Sequence, residues 1–225
     1  EVSKQWIPSQ NIINSDNKIK FFKTHHVICE FKKNKFTNLN NSVGAIYIVR
    51  DPRNVITSIK NHYSKDSYTS ALEFITDENH CIDVENKTHI GINKKDILNT
   101  FISSWKTHYN SWKSFPKNFL LIKYEDLLNE PKKQFFKLAN YIETILKIKI
   151  DEDKLDKIIE LNDFVNLQKI ENEKGFKESS LDKKNNKNKF FYLGPENKWQ
   201  NLLSKDIKIK IEDKFYKEMK ELNYI

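Results

Sequence analysis

The sequence predicts an α/β fold in which helices flank a mainly parallel sheet. Two short apolar runs, Ala45–Val49 (AIYIV) and residues 119–122 (FLLI), have the composition of strands that are buried on both faces. Around them, apolar residues recur at helical spacing, most clearly in residues 96–115 and 205–222. Strands that alternate with helices are typical of parallel sheets. With 225 residues and 12% aromatic content, the chain is expected to form one domain with a substantial core.

The first half of the chain predicts two strands joined to helices. Residues 19–23 (IKFFK) form a short apolar run that precedes the strand Ala45–Val49. After that strand, Asp51 can cap a helix in which Pro52 takes the first position, where a missing N–H is tolerated. The other predicted elements here are a helix with a loop, a polar surface connection and a further helix, at residues 1–17, residues 32–42 and Tyr68–Thr76.

The second half of the chain predicts mainly amphipathic helices. Its predicted elements are a helix, a buried strand and three more helices, at residues 96–115, 119–122, 131–145, 151–161 and 205–222. Residues 77–95 and 174–189 are polar and lack a clear period, which favours loops. Loops of this length in a compact domain are commonly functional, and one of them is a candidate to cover a substrate.

Charge and composition narrow the classes of partner. The net charge of +8 and the pI near 9.2 favour anionic partners, although much of the charge is lysine scattered among acidic residues. Cys29 and Cys81 lack metal-like spacing, and we expect buried thiols and no bound metal. The absence of a long apolar run or a signal peptide predicts a cytoplasmic protein with no membrane partner. Because the first residue is Glu1 and the only methionine is Met219, we expect further chain upstream.

The turn after Ala45–Val49 is the strongest candidate site. Arg50 ends the strand, and the helix that follows directs its N–H groups and the positive end of its dipole beyond the strand. With the hydroxyl of Ser58, these groups form a plausible phosphate site. The alternative is that Arg50 only pairs with Asp51 or Glu125.

Several blocks of the sequence, in order, resemble those of the sulfotransferase family, which uses 3′-phosphoadenosine 5′-phosphosulfate (PAPS) as sulfuryl donor. YIVRDPRNVITS resembles the block that binds the 3′-phosphate, which implies that Arg50 and Ser58 contact this group. FFKTHH resembles the block of the catalytic histidine, which implies His25 as general base and Lys23 near the sulfuryl group. His26 is the competing candidate for the base.

Three later blocks extend the resemblance to about residue 199. KYEDLLNEP places Tyr124 near the adenine, and LNDFVNL implies that Phe164 stacks on it. For Phe164 a role as a core aromatic is equally open. FYLGPENKW resembles the loop that closes over the 3′-phosphate, with Gly194 at the family position. The family has two basic residues before this glycine, whereas this chain has Tyr192 and Leu193, which leaves Lys189 or Lys198 as substitutes.

The resemblance implies a P-loop-kinase-like parallel sheet flanked by helices and one sulfotransferase-like domain over residues 1–225. The family pattern also includes an N-terminal strand-loop-helix that binds the phosphosulfate, which we do not find in this sequence, so we expect the domain to be N-terminally incomplete. The implied reaction moves a sulfuryl group from PAPS to a hydroxyl or amine of a small-molecule acceptor, without a metal, and leaves adenosine 3′,5′-bisphosphate.

Two other classes of function compete with this hypothesis. A non-catalytic nucleotide-binding or regulatory module would keep the 3′-phosphate site without turnover. A basic nucleic-acid-binding domain would need its cations in one stripe with aromatics between them, whereas here the charges are scattered, and we expect no nucleic-acid partner. The identity of the acceptor and the oligomeric state do not follow from the sequence.

Overall fold

The computed structural model describes residues 2–82, 100–182 and 184–225. Its strands are β1 (Glu30–Phe31), β2 (Asn34–Lys35), β3 (Ala45–Val49), β4 (Cys81–Ile82), β5 (Thr100–Phe101) and β6 (Phe119–Lys123). Its α-helices are α1 (Trp6–Ile13), α2 (Pro52–His62), α3 (Tyr68–Thr76), α4 (Trp105–Lys113), α5 (Tyr124–Asn129), α6 (Pro131–Leu146), α7 (Glu152–Leu161), α8 (Phe164–Lys174), α9 (Trp199–Leu202) and α10 (Lys205–Glu221). No helix within these residues is long and apolar enough to cross a bilayer.

The centre of the fold is the parallel pair β3 and β6. Their register runs from Ala45 opposite Phe119 to Val49 opposite Lys123. This pairing confirms the predicted parallel sheet. Because parallel strands end at the same edge of a sheet, it also places the turn after β3 next to the start of α5, where Arg50 and Tyr124 follow their strands.

The helix after β3 forms as its sequence predicts. The Asp51 carboxylate accepts the N–H of Arg53 at 2.9 Å, and Pro52 occupies the first turn. One face of α2 then packs on α3 and α10. The fully or nearly fully buried members of this core cluster are Ile56, Ala71, Leu72, Ile75, Ile207, Ile211, Phe215 and Met219.

Two predicted elements differ in the structure. The prediction of a strand at residues 19–23 is wrong. This segment is irregular, and its Phe21 and Phe22 side chains are 66% and 67% exposed. An apolar run becomes a strand only beside a partner that completes its backbone hydrogen bonds, and none of the described strands pairs with it. The helix at residues 96–115 starts later, because Ser104 caps α4 by accepting the N–H of Thr107 at 3.2 Å.

The predicted loops are only partly described. Within 77–95, Cys81–Ile82 forms a short strand that pairs antiparallel with Thr100–Phe101, in a region predicted as helix. The rest of that loop, residues 83–95, and the start of the predicted helix, residues 96–99, lie outside the described residues. In the loop at 174–189, the described residues are irregular apart from a bridge between Leu181 and Lys187. Helix α8, which precedes this loop, was not predicted as a helix.

Replacing Phe215 by alanine should destabilise the fold, because its side chain is fully buried (0% exposed) between α2, α3 and α10. Large-to-small changes of a buried phenylalanine cost about 3–5 kcal/mol in the free energy of unfolding. Urea unfolding followed by circular dichroism measures this loss. The matched control is Tyr216→Ala on the same helix, where the side chain is 56% exposed and the expected change is about 0.5 kcal/mol or less. Equal losses in the two variants would contradict the assigned core.

Candidate functional site

Arg50, Ser58 and Tyr124 come together at the carboxyl end of the parallel strands. The Arg50 guanidinium donates through Nη1 to Ser58 Oγ at 3.0 Å and lies 4.3 Å from the centre of the Tyr124 ring. Burial lowers the pKa of Arg50, and the nearby Tyr124 and Glu125 oppose this effect. An arginine starts so far above neutrality that it stays protonated. The site is therefore a half-buried cation between a hydroxyl and an aromatic ring.

The Nε–H of Arg50 is a spare donor. This atom is buried and has no hydrogen-bond partner among the described residues. Buried donors are normally satisfied, and an unpartnered guanidinium N–H marks a place where an acceptor binds. The guanidinium fork suits phosphate oxygens, which accept two parallel hydrogen bonds. The site fits the phosphate group that the sequence predicts here.

The carboxylates near Arg50 are engaged elsewhere. The Asp51 carboxylate binds the side chain of the buried Arg53 and accepts from its Nε at 2.9 Å and from its Nη2 at 2.6 Å. Glu125 accepts the backbone N–H of Asp51 at 3.0 Å and the hydroxyl of Tyr224 at 3.0 Å. Within the described part of the chain, Arg50 forms no ion pair. Asp51 and Glu125 therefore act on Arg50 through their charge and not through a direct ion pair.

The loop before α9 is docked on α2 by a buried asparagine. Asn197 is 7% exposed, and its amide nitrogen donates to Ser58 Oγ at 3.1 Å and to the Asn54 carbonyl at 3.2 Å. Its amide oxygen accepts the Thr57 hydroxyl at 2.5 Å. The backbone N–H of Trp199 donates to Asn54 Oδ1 at 3.0 Å. These bonds bring the C-terminal loop to the side of Ser58.

Phe164 and Gly194 contact each other. Gly194 has φ of +51°, and a Cβ there would lie 2.3 Å from the Phe164 ring. Only glycine allows this backbone and this approach. The ring of Phe164 therefore packs on the loop that ends at Asn197, so both predicted residues belong to one substructure at the start of α8.

The segment before that loop is held by a second buried side chain. Glu171 on α8 accepts the N–H groups of Phe190 and Phe191 at 2.7 and 2.9 Å. At the positions where the family has basic residues, Tyr192 is exposed. The two lysines that the sequence offered as substitutes make other contacts. The Lys198 ammonium pairs with Glu196 at 3.2 Å on the surface. The backbone carbonyl of Lys189 accepts a hydrogen bond from the Asn61 side chain at 3.2 Å.

Lys23 and His25 lie on the irregular segment before β1, apart from the contacts of Arg50. Lys23 Nζ is 2.6 Å from both carboxylate oxygens of Glu178, and both side chains are exposed. His25 is exposed, whereas His26 is buried, with its ring stacked on Phe36 at 4.3 Å and its Nδ1 2.6 Å from the Val27 carbonyl. Burial lowers the pKa of His26. Of the two candidate bases, His25 is the one whose side chain is exposed to solvent.

His108 links this segment to the sheet, and spacing alone did not identify it. Its Nε2 is 3.1 Å from the carbonyl oxygen of His25, and its Nδ1 is 2.9 Å from the Tyr47 hydroxyl. A carbonyl only accepts, so Nε2 carries the proton and Nδ1 accepts from Tyr47. Burial lowers the pKa of His108 to about 4, and the neighbouring His25 and His26 act in the same direction. A neutral His108 thus holds the backbone of His25. The sequence signal for it was only its place on the apolar face of α4.

A cavity of about 590 Å³ opens beside His26. The side chains around it are mostly apolar or aromatic: Val2, Trp6, His26, Cys29, Phe31, Cys81 and Phe101, with Ser3, Glu30, Lys32 and Asn79 as its polar part. Its volume is in the range of small-molecule sites, and its lining suits an apolar ligand. No group of three or more His, Cys, Asp or Glu side chains in the described ranges is arranged to hold a metal ion.

Fold and site together define an α/β protein with a cationic site, suited to an anionic group, at the carboxyl ends of its parallel strands. Within that class, the chain belongs to the sulfotransferase family: the family model described as the sulfotransferase domain matches residues 8–223. This match confirms the resemblance to the sulfotransferase family that the sequence blocks indicated.

Known relatives agree with this assignment. Cytosolic sulfotransferase 10 of Arabidopsis thaliana is 33% identical over 98 residues, which are 43% of this chain and 28% of that protein. Retinol dehydratase in complex with androsterone and the inactive cofactor PAP has a TM-score of 0.60 at 17% identity, over 90% of this chain and 54% of that one. A mouse sulfotransferase complexed with PAP has a TM-score of 0.52 at 20% identity, over 79% and 58%. The chain thus spans less than two thirds of each of these relatives, and the structural likeness shows the fold.

The neutral state of His108 predicts a pH dependence of stability. Its pKa in the folded protein, about 4, is below the ordinary value of 6.5, so the folded state binds fewer protons than the unfolded state. The contribution of His108 is therefore complete above about pH 6.5 and is lost as the pH falls towards about 4. The loss amounts to about 3 kcal/mol at most.

Urea unfolding at a series of pH values, with wild type and His108→Gln, measures this contribution. The wild type should lose more stability than the variant over this range, because glutamine keeps a polar group but does not titrate. Parallel curves for the two proteins would show that His108 is not held neutral by its surroundings.

Proposed function

We propose that this protein is a PAPS-dependent sulfotransferase that moves a sulfuryl group to a hydroxyl or amine of a small-molecule acceptor. The observation that carries the proposal is the buried Nε–H of Arg50, which lacks a partner in the described structure while Nη1 of the same side chain binds Ser58. Membership of the sulfotransferase family supports it. The PAP in the solved relatives supports adenosine 3′,5′-bisphosphate as the nucleotide product.

On the nucleotide side, Arg50 and Ser58 are assigned to the 3′-phosphate. A buried guanidinium gives a charge-assisted hydrogen bond, which is about twice as strong as a neutral one. Tyr124 lies next to Arg50 and is assigned to the adenine edge. Phe164, held against Gly194, is assigned to the adenine face, and the Gly194 loop to closure over the 3′-phosphate.

On the transfer side, His25 is assigned as the general base and Lys23 to the sulfuryl group. PAPS supplies the sulfuryl group: the acceptor oxygen or nitrogen forms a bond to sulfur while the bond from sulfur to the phosphate oxygen breaks. The proton of the acceptor passes to His25, whose ordinary pKa near 6.5 suits this role at neutral pH. Lys23 must leave Glu178 to reach the substrate. This step is cheap, because an exposed ion pair contributes about 1 kcal/mol or less.

The acceptor is assigned to the small-molecule class. The solved retinol dehydratase complexes contain androsterone or retinol, and the cavity beside His26 has a matching apolar lining. We propose one catalytic domain over residues 1–225, continued by the phosphosulfate-binding segment upstream. The relative named as a cytosolic sulfotransferase supports a cytoplasmic location. No step of this chemistry requires a metal.

The second candidate is a nucleotide-binding module without turnover. It is favoured by the contact of Lys23 with Glu178, which occupies the proposed catalytic lysine, and by Tyr192 and Leu193 at the basic positions. Incubation with PAPS and a panel of phenols, alcohols and amines separates the two. An enzyme releases adenosine 3′,5′-bisphosphate in step with the sulfated product, whereas the module binds the bisphosphate and gives no product.

Arg50→Met should abolish most of the affinity for adenosine 3′,5′-bisphosphate. The loss of a charge-assisted hydrogen bond is worth about 1.5–3 kcal/mol, which corresponds to a rise of about 10- to 150-fold in Kd by titration calorimetry. Lys132→Met is the matched control, since it removes a positive charge from an exposed side chain on α6 and should leave Kd within about twofold. An unchanged Kd in the Arg50 variant would show that Arg50 does not bind the 3′-phosphate.

His25→Ala should lower kcat by about 10²- to 10⁴-fold, the usual contribution of a general base. The Kd for adenosine 3′,5′-bisphosphate should stay within about twofold, because His25 is assigned to the acceptor and not to the nucleotide. Steady-state kinetics with calorimetry on the same preparation measure both. Normal turnover with a large loss of affinity would reverse the assigned role.

A further inference from the structure

The side chain of Asn197 fills a position between the C-terminal loop and α2 that no sequence block assigned. It is buried, and all of its described hydrogen bonds go to α2, where they reach Asn54, Thr57 and Ser58. We propose that Asn197 is a positioning residue that aims the hydroxyl proton of Ser58 at the 3′-phosphate. This inference rests on the proposed function, because it takes Ser58 as a phosphate contact.

The first step of the argument is the hydrogen-bond capacity of Ser58. A serine hydroxyl has two acceptor lone pairs and one proton. Both lone pairs are used, because Arg50 Nη1 donates to Oγ at 3.0 Å and Asn197 Nδ2 donates at 3.1 Å. The described residues provide no acceptor for the hydroxyl proton of Ser58. This proton is therefore available to an anion that also faces Arg50.

The second step concerns the acceptor that a helical serine normally uses. Such a hydroxyl tends to donate back to the carbonyl four residues earlier, which for Ser58 is the carbonyl of Asn54. Here that oxygen already accepts Asn197 Nδ2 at 3.2 Å, besides its helical N–H, while Thr57 directs its single hydroxyl proton to Asn197 Oδ1. The Asn197 amide nitrogen therefore has two effects. It donates to one lone pair of Ser58 Oγ, and it donates to the Asn54 carbonyl, which would otherwise accept the Ser58 hydroxyl proton.

The third step is that Asn197 is itself held in one orientation. Its amide oxygen accepts from Thr57, which fixes which end of the amide faces Ser58. Trp199, two residues later, also contacts α2. Its backbone N–H donates to Asn54 Oδ1, and its ring lies 4.1 Å from the Arg53 guanidinium. The loop that begins at Gly194 is thus attached to α2 by the neutral amide of Asn197. This chain has Tyr192 and Leu193 where the family has two basic residues.

The test compares two nucleotides on the full chain. Adenosine 3′,5′-bisphosphate carries the 3′-phosphate, and adenosine 5′-monophosphate lacks it. Asn197→Ala should raise the Kd for the bisphosphate about fivefold, the usual effect of one hydrogen bond, and leave that for the monophosphate within about twofold. Asn201→Ala, an exposed asparagine on α9, is the matched control and should change neither value. Because both ligands are titrated into one preparation, the ratio of the two Kd values does not depend on the fraction of folded protein.

A double-mutant cycle separates positioning from general support of the loop. Since Asn197 acts through Ser58, Asn197→Ala should have no further effect on bisphosphate binding in a Ser58→Ala background. Fully additive effects, or equal weakening of both nucleotides, would overturn the inference while the phosphate assignment survives. A wild-type protein that binds the two nucleotides equally would instead overturn the proposed 3′-phosphate site, and the inference with it.

Discussion

The buried pair of Asp51 and Arg53 is the interaction on which the rest of the structure depends. Asp51 caps α2 and binds Arg53, while Arg53 also binds Glu212 on α10 and the carbonyl of Tyr224. A buried pair is a weak source of net stability, but it is costly to break, because removal of one partner leaves the other charge uncompensated. It therefore fixes where the C-terminal helix lies. It also engages the Asp51 carboxylate, which leaves the Arg50 cation for an external anion.

The parallel pairing of β3 and β6 turns this local arrangement into a site. It sets Arg50 beside Tyr124, although they lie on different strand ends. Helix α2 then presents Ser58 to Arg50, and Asn197 reaches Ser58 from the C-terminal loop. All of these contacts depend on the apolar packing of α2 against α3 and α10. The proposed nucleotide half of the site is thus built on a helix that the buried core holds in place.

The segment with Lys23 and His25 is different in character. It has no regular structure, and its described ties to the rest of the protein include His108 on the His25 carbonyl and the exposed contact of Lys23 with Glu178. Proton transfer needs an accessible imidazole, whereas phosphate binding gains from a buried cation. The difference in burial between the two segments is the one that their proposed roles require. The sequence blocks predicted residues for both segments, but the predicted strand at 19–23 was wrong, because strand formation needs a partner that local composition does not supply.

The sequence by itself determined the local features of this protein: the strand β3, the Asp51 cap, the bounds of α6 and α10 to within about one residue, and the family. These follow from short-range periodicity, capping and motif spacing, which the chain carries within a few residues. Only the tertiary structure decided that Arg53 pairs with Asp51. The same holds for the hydrogen bond of His108 to the His25 carbonyl and for that of Asn197 to the Ser58 hydroxyl. Asn197 and Ser58 are 139 residues apart in sequence, and the amide could bond to many partners of equal chemistry. Which partner it meets depends on how the helices pack, because the side chain alone does not encode that choice.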